Sequence, residues 1–122
     1  MSGHILVVLT EPVAGREDEY NDWYDHTHLR DVVGLDGFAS AQRYAFVAPH
    51  ADSDSPLYRY LAIYEVPEGQ LDRAREALAA AVDDSRRAAG EGRTPDMYLS
   101  PAMNPSRLAW WFEAISERVE ES

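Results

Sequence analysis

The sequence predicts an α+β domain in which the elements follow one another in the order β-α-β, then β-α-β. Residues 4–10 are aliphatic and β-branched on both faces, which is typical of a buried strand. Residues 16–33 repeat apolar side chains at helical intervals, and residues 38–47 alternate as a strand does. This order has the split pattern of a ferredoxin-like fold, and we expect residues 1–122 to form a single domain.

Boundary signals separate the elements of the first half. The segment EPVAG interrupts the chain after the first strand, and Gly34 and Gly37 close the first helix in a glycine-bounded turn. The second strand, FASAQRYAFV at residues 38–47, follows directly. Residues 48–56 predict a turn-rich connection, and LYRYLAIYEV at residues 57–66 predicts a third strand opposite the second.

The second half contains a helix, a long loop and a last strand. We expect the helix to begin near Pro67 and to end near Gly90, since apolar residues recur at helical spacing: Leu71, Ala74, Leu78, Ala81 and Val82. Residues 90–106 hold three prolines and two glycines, which predicts an irregular loop and a candidate lid. Residues 107–115, rich in aromatic side chains, predict the last strand.

The composition argues against several classes of partner and of chemistry. Eleven basic residues against 22 acidic ones give 11 − 22 = −11, a charge that repels phosphate backbones and anionic membranes. Cysteine is absent, which excludes disulfides, thiolate metal ligands and cysteine nucleophiles. The apolar stretch at residues 5–9 is too short for a membrane span or a signal peptide, so we expect a cytoplasmic protein with neither nucleic acid nor membrane as a partner.

Large apolar side chains occur on both faces of the predicted strands. Tyrosines alternate with Leu61 and Ile63 in the third strand, and Trp110 alternates with Trp111 in the last. Two helices cover only one face of the sheet, so the simplest cover for the other is the same face of a second copy, which gives a homodimer. The alternation leaves open which face lines a pocket.

The motif WYDHTHLRD contains two histidines that lie on different sides of the predicted helix. On a wheel with Tyr20 at zero, Trp23 falls at about −60° and Tyr24 at about +40°. His28 falls at about +80° on the same side, whereas His26 falls at about −120°. The two imidazoles therefore point apart, which disfavours a joint metal site.

His28 lies on the rim of the aromatic face, four residues after Tyr24 and three before Asp31. A phenol or carboxylate at that spacing can fix the tautomer of a partly buried imidazole, which suits a general acid or base near neutral pH. The structural alternative is that His28 bonds a neighbouring element and completes the helix. His4, at the start of a strand, and His50, in a polar loop, are expected at edge or surface positions.

The stretch WYDHTHLRDVVGLDGFASAQRY resembles the EthD-like branch of the dimeric α+β barrel superfamily. Members of that branch typically show an aromatic pair, a histidine, a glycine–phenylalanine turn and a strand ending in arginine and tyrosine. The corresponding residues here are Trp23, Tyr24, His28, Gly37, Phe38, Ser40, Arg43 and Tyr44. The resemblance implies ferredoxin-like protomers whose sheets face each other, with a pocket between helix layer and sheet. It assigns the family histidine to His28, although Arg30 stands where such sequences often have proline.

The wider superfamily includes cofactor-free cyclases, dehydratases and isomerases, as well as monooxygenases and haem-handling proteins. Haem-handling relatives commonly place an iron-ligating histidine away from the first helix, and residues 67–106 contain no histidine. We therefore expect no haem. We also expect no metal, since no pair of histidines has useful helical spacing.

These observations lead to the hypothesis of a cofactor-independent lyase or isomerase, of cyclase or dehydratase type, acting by proton transfer on an aromatic or polyketide-like apolar substrate. His28 would move the proton, Asp31 would hold its tautomer, and Tyr24 would donate a hydrogen bond to a developing enolate. The side chains expected to bind the substrate are Trp23, Arg43, Tyr44, Trp110 and Trp111. Two alternatives stay open: a non-catalytic dimeric ligand-binding module and a cofactor-free monooxygenase.

Overall fold

The computed structural model describes residues 3–47 and 56–121. Within them the strands are β1 (His4–Thr10), β2 (Ser40–Ala45), β3 (Tyr60–Val66) and β4 (Leu108–Glu113). The helical elements are α1 (Glu17–Trp23), a π-helical segment (Tyr24–His28), α2 (Leu29–Val33) and α3 (Leu71–Glu91). His50 and most of the predicted connection at 48–56 lie outside the described residues.

The strands form one antiparallel sheet in the order β2-β3-β1-β4, which confirms the predicted α+β ferredoxin-like fold. β1 has the predicted bounds, but β3 and β4 are shorter than expected because β1 limits their ladders, and β2, which pairs with β3, is shorter as well. Its last residue pairs with Tyr60, the first residue of β3. Its first residue pairs with Glu113, the last residue of β4. Beyond these points single backbone hydrogen bonds continue the pairing by one residue, as from Ala114 N to Gly3 O at 2.8 Å and from Phe46 N to Arg59 O at 2.7 Å.

The first helix runs through the predicted residues without a break, but its middle turn is a π-helix. The backbone N–H of Leu29 donates to the carbonyl oxygen of Tyr24, five residues back. A π turn is tolerated at single positions within α-helices and is frequent at functional sites. Because a single π turn displaces the helical pattern by only one residue, the sequence pattern did not distinguish this turn from an α-helical one.

The second predicted helix, α3, begins four residues later than expected. The backbone N–H of Gln70 donates to the carbonyl oxygen of Pro67 at 3.1 Å, and Gly69 has a φ of 83°, so a turn precedes the helix. Gly92, with a φ of 69°, ends it in the left-handed conformation that glycine accepts most readily. No helix among the described residues is long and apolar enough to span a membrane.

The core lies between the sheet and the helices. Its largest fully buried side chains come from alternate positions of β1 and β3 and from one face of the first helix: Leu6, Thr10, Tyr20, Tyr24, Val32, Tyr64 and Val66. The irregular loop after α3 contributes Met97, Ala102 and Met103. Its backbone is tied to the chain after β1, since Val13 N donates to Ala102 O at 2.7 Å. The loop is therefore part of the packed domain.

The strand registers show which residues face away from the helices. Ile63 pairs with Val7 and with Gln42, and Val7 pairs with Trp110. These residues and those two positions away in each strand form the open face of the sheet, which is the face without helices. Trp111 lies on the opposite side, packed against the core.

Gly37 allows the chain to pass close to α3. Its φ is 93°, and a Cβ atom there would lie 2.6 Å from Ala74 N and 2.8 Å from Ala74 Cα. We expect Gly37→Ala to lower the free energy of unfolding by roughly 3 kcal/mol, because the backbone strain of a positive φ and the steric overlap with Ala74 both destabilise the folded state. Gly69→Ala is the matched control, since its φ is 83° but nothing lies within 4 Å. We expect it to lose only about 1 kcal/mol in urea denaturation. Equal losses would contradict the close approach.

Candidate functional site

His28 lies at the end of the π-helical segment and is enclosed by aromatic rings. Its side chain is only 8% exposed. The Trp23 ring stacks on the imidazole with centroids 4.6 Å apart and an interplanar angle of 24°. The Tyr24 ring meets it edge-on at 4.9 Å. Trp23 and His28 are five residues apart, the spacing that a π turn places in line. His26 is exposed, as the helical wheel predicted.

The imidazole of His28 has no hydrogen-bond partner among the described residues, and its Nδ1 is fully enclosed. Burial, followed by the positive charges of Arg107 and Arg43, lowers its pKa to about 4. The ring is therefore neutral at pH 7. A neutral imidazole offers one nitrogen that accepts a proton and one that donates.

Behind His28 lies a buried cluster of hydroxyl groups. The Tyr64 hydroxyl donates to the Tyr24 hydroxyl oxygen at 3.4 Å, and Thr10 and Tyr20 share a short hydrogen bond. Burial raises the pKa of Tyr20 to about 12 and raises the pKa values of Tyr24 and Tyr64 as well. The phenols therefore stay protonated. The Tyr24 ring contacts His28, and its hydroxyl is part of this cluster.

Arg43 extends from β2 over the tyrosine rings. Its guanidinium carbon lies 4.4 Å from the centroid of the Tyr24 ring. Nη1 donates to Asp25 Oδ1 at 2.6 Å, and Nη2 donates to Asn21 Oδ1 at 2.9 Å. Cation–π and charge-assisted contacts of this kind hold a guanidinium in place. Two hydrogen-bond partners within the chain therefore occupy the arginine that was predicted from the sequence to bind a substrate.

Asp31 does not contact His28 by a hydrogen bond within the described part of the chain. It lies on α2 beside a separate cavity of about 550 Å³ that Asp84 and Asp96 also line. Burial and the nearby charge of Asp96 raise the pKa of Asp31. The expected contact that would fix the His28 tautomer is not present.

The five side chains expected to bind a substrate do not meet in one protomer. Trp23, Arg43 and Trp111 lie between the sheet and the helices, where Trp111 packs beside Phe38 with centroids 6.1 Å apart. Tyr44 and Trp110 lie on the open face, and their strands β2 and β4 form opposite edges of the sheet. Trp110 and Trp111 are adjacent in β4, so they lie on opposite faces of the sheet and do not line the same pocket.

The structure places a cavity beside the aromatic enclosure that the sequence did not indicate. It has a volume of about 410 Å³ and lies between the C-terminal half of α3, the following loop and the start of β4. Its lining includes Ser85, Arg86, Arg93, Tyr98, Leu99 and Arg107. Trp23 Nε1 donates to the carbonyl oxygen of Tyr98 at 3.1 Å, so the cavity wall contacts the ring that stacks on His28. No motif marks these residues, because they converge only through the loop.

The other described histidines have partners of their own. His26 Nδ1 lies 3.1 Å from Asp22 Oδ1, and both side chains are exposed. His4 Nε2 lies 3.8 Å from Glu113 Oε2, although its Nδ1 is enclosed without a hydrogen bond. Within residues 3–47 and 56–121, no group of three or more acidic or histidine side chains is placed to hold a metal ion.

Comparison with known proteins rests on solved structures. Neither a protein-family model nor a curated protein matches the sequence. An EthD-like protein from Ralstonia eutropha JMP134 has a TM-score of 0.56 at 14% identity, with 97% of each chain covered. MhuD, a haem-degrader from Mycobacterium tuberculosis whose structure holds two haems in its active site, has a TM-score of 0.53 at 18% identity. That match covers 95% of this chain and 99% of MhuD. The chain therefore has the ferredoxin-like protomer fold of the dimeric α+β barrel proteins.

Proposed function

We propose that the protein is a cytoplasmic, cofactor-independent enzyme of lyase or isomerase type, which moves a proton on an aromatic or polyketide-like substrate. The observation that supports this proposal is the state of His28. It is a buried, neutral imidazole without a hydrogen-bond partner, enclosed by two aromatic rings. Buried polar atoms without partners are rare in proteins and are found at catalytic sites.

A purely structural role for His28 has less support. In that role the ring would bond a neighbouring element, and no such bond is present among the described residues. Leaving a buried polar group unpaired costs about 1–3 kcal/mol, which a smaller apolar residue would avoid. An imidazole kept neutral at this cost is suited to accept a proton from a bound molecule.

The proposed reaction begins when His28 takes a proton from a carbon next to a substrate carbonyl. The C–H electron pair moves toward the carbonyl oxygen and forms an enolate, while the ring becomes imidazolium. Return of the proton to another carbon gives isomerisation, and its delivery to a hydroxyl that leaves as water gives dehydration. A pKa of about 4 makes the ring a weak base, but the imidazolium–enolate pair forms where water is excluded, which strengthens their attraction.

The neighbouring residues have different parts in this proposal. Trp23 and Tyr24 position the imidazole through their rings. The Tyr24 hydroxyl, which accepts a hydrogen bond from Tyr64, would stabilise the enolate only by turning its own proton toward the substrate. The Arg43 guanidinium packs over the Tyr24 ring. Asp31 has no assigned part in the proton transfer.

The residues do not fit a haem group. The cavity beside Tyr98 includes no histidine, and Nδ1 of His28 is enclosed. His4 lines a different cavity of about 800 Å³, but four carboxylates line it as well: Glu65, Glu68, Glu113 and Glu117. Their charge would repel the haem propionates. The proposed reaction therefore involves no haem.

The proposal includes a homodimer formed through the open face of the sheet. Aromatic side chains on this face are about half exposed: Trp110 at 49%, Phe112 at 48% and Tyr44 at 45%. The strand positions on this face carry one charged side chain, Glu65, which accepts a hydrogen bond from Ser40 at 2.5 Å. In a chain with a net charge of −11, this is the surface on which two copies repel each other least. An uncovered apolar face of this kind typically marks an interface, and self-association through it is two-fold.

The proton-transfer step predicts deuterium exchange into a test ketone. We expect the protein to catalyse incorporation of deuterium from D₂O next to the carbonyl of 2-tetralone, followed by NMR. His28→Gln should slow this exchange by about 10² to 10⁴-fold, the range of general acid–base contributions. His26→Gln is the control, because that histidine is exposed on the same helix, and it should leave the rate unchanged.

Two other results would contradict the proposal. Binding of the ketone without any exchange above the buffer rate would indicate a non-catalytic binding module. Oxygen consumption with an electron-rich phenol, without exchange, would indicate a cofactor-free monooxygenase.

The homodimer predicts a mass of twice 13.7 kDa in sedimentation equilibrium. Trp110→Asp should shift the protein to the monomer mass, because it places two further charges against an apolar interface. Ala79→Asp introduces the same charge on the exposed side of α3 and should leave the dimer intact. A wild-type protein at 13.7 kDa, or a variant as dimeric as the wild type, would contradict this part of the proposal.

A further inference from the structure

The cavity beside Tyr98 has an unusual charge for this protein. The chain is strongly acidic, and all eleven of its basic residues are arginines. Three of them, Arg86, Arg93 and Arg107, line this one cavity of about 410 Å³. The size falls in the range of small-molecule sites, about 300 to 1,000 Å³. Three of the eleven positive charges of an acidic chain therefore line one cavity.

Acidic residues of the chain neutralise only one of these arginines. Arg93 makes ion pairs with Asp84 at 3.0 Å and with Glu91 at 3.1 Å. Among the described residues, Arg86 and Arg107 form no ion pair and no hydrogen bond through their side chains. Their neighbour Arg87, in contrast, pairs with Asp83 at 3.1 Å. Two guanidinium groups thus face one cavity without a counter-charge.

The remaining lining is mixed and suits a molecule with an apolar body. Val82, Ala89, Pro95 and Leu99 supply aliphatic surface, and Tyr98 supplies an aromatic ring. Guanidinium groups bind planar carboxylates through two parallel hydrogen bonds. The combination fits an acid in which one carboxylate is attached to an apolar ring.

The cavity is connected to His28 through two contacts. Tyr98 lines the cavity, and its carbonyl oxygen accepts a hydrogen bond from Trp23 Nε1 at 3.1 Å. The Trp23 ring in turn stacks on His28. Arg107 is also close enough for its charge to act on the imidazole. Neither Trp23 nor His28 lines the cavity itself, so a ligand anchored there would have to extend past Tyr98 to approach the proposed base.

We infer that this cavity binds the carboxylate of an aromatic acid through Arg86 and Arg107, and that the ring of the same molecule extends along Leu99 and Tyr98 toward Trp23 and His28. The inference rests on the proposed function, from which it takes the aromatic nature of the substrate. It adds that this substrate carries a carboxylate. It gives Arg86 and Arg107 a role in specificity, since an acid should be preferred to a neutral molecule of the same shape.

The test compares two probes of nearly identical shape, 1-naphthoate and 1-naphthamide, by isothermal titration calorimetry at low salt. We expect the wild-type protein to bind the acid at least about tenfold more tightly than the amide, the ratio for one charge-assisted contact. Replacing both arginines, Arg86→Gln with Arg107→Gln, should remove that preference and leave the affinity for the amide within about twofold. Arg87→Gln is the matched control and should change neither affinity, because that residue is paired elsewhere.

Several results would overturn the inference. Equal wild-type affinities for acid and amide would exclude a carboxylate site, as would a double variant that keeps the preference. Displacement of naphthoate by inorganic phosphate at equal concentration would show an anion site without a subsite for the ring. Proton exchange, measured in the His28→Gln variant, and preference for the acid, measured in the arginine variant, are separate readouts, so failure of the proposed function and failure of this inference can be told apart. If the double variant is less stable to heat, Arg86→Lys with Arg107→Lys should retain part of the preference, since the charge remains.

Discussion

The stack of Trp23 on His28 is the contact on which the candidate site depends. It exists because the helix takes a π turn at Tyr24–His28, which brings residues five apart into line. The same turn directs Tyr24 against the imidazole edge and its hydroxyl toward Tyr64 on β3. Helix, sheet and loop all contact this aromatic group, since Trp23 also donates to the loop carbonyl of Tyr98. Burial of the imidazole and its neutral state follow from this packing.

Charge is distributed unevenly around this enclosure. Burial disfavours the protonated form of His28. The positive charge of Arg43, which lies over the Tyr24 ring, disfavours it as well. On the other side, Arg86 and Arg107 face a cavity without acidic partners. The large acidic excess therefore lies elsewhere on the surface. A negatively charged ligand would meet attraction at this end of the molecule and repulsion over most of the rest.

Local patterns predicted the elements well and the site only in part. Apolar periodicity predicted β1, the first helix and the side of that helix on which His28 lies, because these depend on spacing along one element. The ends of β3 and β4 depend on how far β1 extends, and those of β2 depend on β3, which no local pattern contains. The partners of Arg43 and the cavity at Arg107 are also long-range features, since residues distant in sequence converge there. The expected contact between Asp31 and His28 failed for a related reason: spacing places two residues on one helix but does not orient their side chains.

The protonation state of His28 is the central claim, and a ¹⁵N NMR titration of the assigned imidazole tests it most directly. Because burial lowers its pKa to about 4, the ring should remain neutral from pH 8 down to pH 5 and take up a proton only as the pH falls further. Its two nitrogens should then show the separate shifts of a single neutral tautomer over that whole interval. A midpoint near 6.5, the value of a free imidazole, would contradict the enclosure and the chemistry proposed from it.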